Sequence, residues 1–150
     1  RVGGCHAAGV YALPVGIEEK VERRMNYENL PVYKATFDLL LMVSRRTPRM
    51  QRDYRYTLGE EAKRALQEVI SCIYQANLRD EGKLVYIPRA RDYLVRFKVL
   101  FRLMESLRQL SDKDVVLMGD QVADVSAQLQ KWEAYVRAAD KKSRGADSPR

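Results

Sequence analysis

Between residues 115 and 136 the apolar side chains Val115, Met118, Val122, Val125, Leu129, Trp132 and Val136 recur at alternating intervals of three and four. Only a helix brings residues at that spacing onto one face. The alternation is the heptad-like seam of a helix that packs along other helices. A helix of this kind cannot bury its stripe alone, so the rest of the chain must supply partners.

Three more segments answer that demand. The first helix is expected to begin near Leu30-Pro31, with proline at a position whose N–H would be unpaired anyway and Asn29 as a candidate cap. Tyr33, Phe37, Leu40 and Leu41 form one face, with Val32, Thr36, Leu39 and Val43 beside them. That arc is wide enough to ask for a neighbour outside the bundle. The helix should end before Pro48. A second helix is expected from about 57 to 77, opened by a capping box of Thr57 and Glu60. Its stripe is Leu58, Ala62, Ala65, Leu66, Val69, Ile73 and Ala76. Gly59 in its first turn costs roughly 1 kcal/mol against alanine, which points to a close approach by another backbone or a partner. A third helix should run from Pro88 to about Gln109, with Ala90, Tyr93, Leu94, Phe97, Leu100, Phe101, Met104 and Leu107 inward. Ser111 caps the fourth, with Asp112 and Asp114 in its first turn. No strand pattern or internal repeat competes. The expected architecture is all-α, an antiparallel up-down four-helix bundle over residues 26–138.

The flanks read differently. Residues 1–25 lack periodicity and are expected to be an unstructured leader. Met25 is a candidate natural start, following the mixed-charge run Glu18 to Arg24. Residues 139–150 are expected to be a flexible basic tail. Nothing in the start resembles a signal peptide, and the cytoplasm is the expected compartment.

The residue inventory argues against most site chemistry. The chain has one histidine, His6, so the inward Glu-x-x-His pairs of a di-metal bundle are missing. Cys5 and Cys72 are far apart, and Cys72 falls in an apolar run, which suits a buried free thiol. No glycine-rich phosphate loop or nucleophile elbow occurs. The carboxylate pairs Glu60-Glu61 and Asp112 with Asp114 sit at helix starts, where capping explains them. No enzyme activity, cofactor or metal is expected.

Charge is the strongest functional signal. The net charge is +7, and residues 45–56 hold five arginines (Arg45, Arg46, Arg49, Arg52, Arg55) against Asp53. Arginine donates in pairs to phosphate oxygens. Tyr54 and Tyr56 alternate with these arginines and are candidates for stacking on unpaired bases. Equally, they can turn inward and close the end of the bundle. The third helix adds a second basic surface with Arg91, Arg96, Lys98 and Arg102.

Four segments carry a family resemblance: Leu30-Pro31-Val32-Tyr33-Lys34, Pro48-Arg49, Tyr54-Arg55-Tyr56-Thr57-Leu58-Gly59-Glu60, and Ile73-Tyr74-Gln75-Ala76-Asn77. They resemble the Avd (accessory variability determinant) family of diversity-generating retroelements. That family belongs with the four-helix-bundle proteins related to the 23S rRNA intervening-sequence proteins. The resemblance covers about residues 29–133 and leaves the leader outside. It implies a barrel-shaped homopentamer that binds the element's reverse transcriptase together with RNA, and DNA as a further ligand. Such a protein supports mutagenic retrohoming without being the polymerase. Arg49 and Arg55 match the family motif by position; Arg45, Arg46, Arg52, Arg91, Arg96, Lys98 and Arg102 join the expected contact surface on charge. Two alternatives stay open: an rRNA- or ribosome-associated bundle of the intervening-sequence type, and a structural protein-interaction bundle.

Overall fold

The computed structural model describes residues 30–147. The expectations for 1–25, the Asn29 cap and the last three residues lie outside that range. The described residues are helical without strands. Four long helices dominate: α1 (Pro31–Arg46), α2 (Glu60–Leu78), α3 (Lys83–Ser106) and α4 (Asp112–Ala146). Each packs on its chain neighbours, and α4 closes back on α1. The result is the expected up-down order, with α1 diagonal to α3 and α2 diagonal to α4. At about 1.5 Å per residue α4 extends roughly 50 Å, and it continues to Ala146, past the end expected for the bundle at 138.

The core is built from the expected stripes. Leu39 and Val43 of α1, Leu66, Val69 and Ile73 of α2, Leu94, Phe97 and Met104 of α3, and Met118, Val125 and Leu129 of α4 are all buried in one cluster. Each large apolar side chain fully removed from water contributes about 1.5–3 kcal/mol. Cys72 is buried and free, as expected. Burial pushes its thiol pKa up, the nearby Glu68 adds to the rise, and Arg89 opposes it. In α1 the inward side is Val32, Ala35, Thr36, Leu39 and Val43. Phe37 and Leu41 are exposed, so two of the eight side chains of the wide arc are left uncovered among the described residues.

Three further boundaries differ from expectation, each for a local reason. The helix α3 begins five residues before Pro88. Gly82, with φ 79, turns the chain into it from the left-handed region, where glycine carries no Cβ penalty. Pro88 then deletes one early intrahelical bond, and burial of Ile87 beside it offsets that loss.

Thr57 and Glu60 do not form a capping box. The helical run begins at Arg52, continues through a π-helical turn at Arg55–Gly59 and merges into α2. A cap needs extended backbone, and Thr57 is already helical. Its hydroxyl instead donates to the Asp53 carbonyl at 2.7 Å.

The end of α3 comes at Ser106, short of Gln109, because Arg108 enters the left-handed region with φ 55. The Gln109 N–H reaches back to the Met104 carbonyl at 2.9 Å and the Arg108 N–H to Glu105 at 3.0 Å. These are the two bonds of a Schellman ending.

Candidate nucleic-acid interface

The basic segment is a folded corner. After α1, Thr47–Arg49 form a tight 3-10 turn, with Pro48 at a position that needs no N–H. Met50 then plugs the core, and Gln51 is extended before the helical run resumes. Thr47 is buried, and its hydroxyl donates to the Val43 carbonyl at 2.8 Å. Gly59 packs directly on it: a Cβ at position 59 would lie 2.6 Å from Thr47 Cγ2. The close approach expected at this glycine is therefore to a side chain within the chain.

A second loop holds the corner from below. The Gln51 N–H donates to Gln109 Oε1 at 2.8 Å, and Gln109 Nε2 donates to the Leu107 carbonyl at 2.9 Å. The α1–α2 corner and the α3–α4 turn thus share one end of the bundle. Sequence spacing gave no signal for Gln109, since its partner is 58 positions away.

The five arginines of the corner separate into two groups. Arg46 pairs with Asp114 Oδ1 at 2.7 Å. Asp114 is buried and also accepts from Ser111 Oγ at 2.7 Å, while Ser111 accepts the Asp114 N–H as the expected cap. Arg55 is half-buried and donates to the Met50 carbonyl at 3.2 Å. Its Nε–H is buried with no acceptor among the described residues. Arg46 and Arg55 therefore hold the corner together. Arg45, Arg49 and Arg52 are exposed and make no ion pair among the described residues. Arg45, Arg46 and Arg49 line a cleft of about 260 Å³ with Met42, Asp114, Leu117 and Met118.

The tyrosines divide as well. Tyr54 is half-buried and packs on the core, so it closes the bundle end. Tyr56 is 65% exposed, and the Arg55 guanidinium lies 5.9 Å from its ring centroid. Of the two stacking candidates, Tyr56 alone offers its face to solvent.

The basic residues of α3 do not form one surface with the corner. Arg91 binds Glu133 of α4, which is 7% exposed and is also held by Arg137 at 2.7 Å. Hydrogen bonds from Arg91 and then Arg137 hold the Glu133 carboxyl below its usual pKa. Glu133 lies nineteen positions after Asp114 in α4, about 28 Å along the helix. Lys98 donates to Ser126 Oγ at 3.1 Å on that same α3–α4 side. Arg96 faces α2, 3.9 Å from Glu61. Arg102, near the end of α3, lies at the end of the bundle that carries the corner. There it lines a cleft with Arg108, which lies beyond the observed end of α3 at Ser106.

Among the described residues no cluster of His, Cys, Asp and Glu could hold a metal ion. No helix among them is long and apolar enough to cross a membrane. No protein-family model matches the chain, and no curated protein matches it.

Proposed function

We propose that this chain is a non-catalytic accessory protein of a diversity-generating retroelement, of the Avd kind. In this reading it binds template RNA and the element's reverse transcriptase, and supports mutagenic copying. The observation that carries the RNA-binding part is the exposed set Arg45, Arg49 and Arg52 on a corner whose other parts are rigidly held. Three guanidinium groups without an ion pair among the described residues suit a phosphate chain, because little side-chain neutralisation has to be undone first. The likeness of Tyr54 to Glu60 and of the end of α2 to that family supplies the retroelement part.

Assembly belongs to the same proposal. The face of α3 exposes Val95, Val99 and Leu103, and α1 exposes Phe37 and Leu41. These are diagonal helices, so the two apolar patches lie on opposite sides of the bundle. Two different patches facing away from each other suit a heterologous contact, which closes into a ring when the rotation permits. A homopentamer is the ring this reading expects.

The experiment is co-purification with a reverse transcriptase encoded beside this chain, in moderate salt, with and without ribonuclease. Recovery of the polymerase and a defined RNA supports the proposal. A chain that has no reverse-transcriptase gene nearby and binds ribosomal RNA would favour the intervening-sequence type instead.

A further inference from the structure

Arg108 is the only non-glycine residue with positive φ among the described residues. It occupies the C′ position of the Schellman ending of α3, where glycine is the residue of least cost. An arginine there is disfavoured by its own backbone. Its side chain is exposed and makes no ion pair among the described residues. Strain of this kind, held by a structure that does not need the side chain, points to a role outside folding.

Its position says which role. Arg108 precedes Gln109, and Arg52 follows Gln51; the two glutamines are joined at 2.8 Å. The bond that fixes the corner therefore holds the chain at Arg108 and the chain at Arg52 at the same end of the bundle. Arg102 and Arg108 line one cleft there, together with Glu105 and Asp112. We infer that the RNA-contacting surface crosses from the α1–α2 corner onto the α3–α4 turn through Arg108, with Arg102 behind it. The inference rests on the RNA-binding reading given above and adds to it a contact on a different pair of helices.

The substitution Arg108→Gly separates strain from function, since glycine suits φ 55 and removes the charge. The probe is a labelled single-stranded RNA of mixed sequence, titrated at several salt concentrations. The expected result is a melting temperature raised by about 2–4 °C, with RNA affinity lowered about tenfold and the salt slope shallower by about 0.7. Arg108→Lys should keep most of the slope. If Arg108→Gly melts higher yet binds RNA with unchanged affinity and slope, Arg108 is merely solvated and the inference fails. In that case loss of binding in Arg45→Glu/Arg49→Glu/Arg52→Glu would leave the broader reading standing. Absence of RNA binding by the unaltered chain would overturn both.

Discussion

Arg46 and Asp114 form a 2.7 Å ion pair that ties the end of α1 to the start of α4. The carboxylate is buried and the guanidinium two-thirds so, which makes this contact part of the fold and takes Arg46 out of competition for phosphate. Removing one partner of a buried pair leaves the other uncompensated. Asp114→Asn and Arg46→Ala should each destabilise by about 2–4 kcal/mol in a denaturant titration. The double variant should lose less than the sum. RNA affinity of folded Arg46→Ala should stay within about threefold of the original, a shift of under 1 kcal/mol.

Gly59 and Thr47 set the corner's tightness. Gly59→Ala gains about 1 kcal/mol in helix propensity but drives a Cβ to 2.6 Å from Thr47 Cγ2. Thr47 cannot swing away without losing its bond to the Val43 carbonyl. Overpacking of this kind costs about 1–3 kcal/mol, so a net loss is expected. Adding Thr47→Ser, which deletes the methyl and keeps the hydroxyl, should recover most of it. Chemical denaturation of the four members of the cycle checks the coupling.

Glu133 gives the fold an acid-sensitive tie. Its folded pKa lies below the ordinary 4.5 because Arg91 and Arg137 hydrogen-bond the carboxylate. A lowered folded value means that the stabilisation is complete above the unfolded pKa and disappears as pH falls through the folded one. The stability difference between the original chain and Glu133→Gln should therefore be constant near neutral pH and shrink below about pH 4.5. Denaturation midpoints taken across that range measure it.

Val99 is 63% exposed on the outer face of α3. Val99→Asp should leave the fold intact, since surface substitutions stay within about 0.5 kcal/mol. It should split the proposed ring, and sedimentation at micromolar concentration reads the change. An original chain that is strictly monomeric under those conditions would contradict the ring.

The bundle was legible in the sequence because helix-period stripes report which face is buried. The inward residues of α2 and α4 follow that pattern closely. The boundaries around the basic corner were not legible, because tertiary contacts decide them. Thr57-x-x-Glu60 satisfies the local capping pattern, but the chain upstream is already helical, and only the seating of Met50 and Gln51 shows why. Charge located the basic end but could not sort its arginines. Among the described residues Arg46 and Arg55 have structural partners, and Arg45, Arg49 and Arg52 make no ion pair. Those partners are Asp114, distant in sequence, and a backbone carbonyl that carries no pattern. Arg91 and Lys98 were grouped with the corner by charge alone, and the length of α4 between Asp114 and Glu133 places Arg91 far from it.

The most direct test of the central claim replaces Arg45, Arg49 and Arg52 together by glutamate, leaving Arg46 and Arg55 in place to hold the corner. Binding of a labelled single-stranded RNA is then followed across a range of salt concentrations. The account predicts an unchanged melting temperature, an affinity lowered by at least about a hundredfold, and a salt slope shallower by about 2. Affinity and slope equal to those of the original chain would contradict it and place the RNA-binding surface elsewhere.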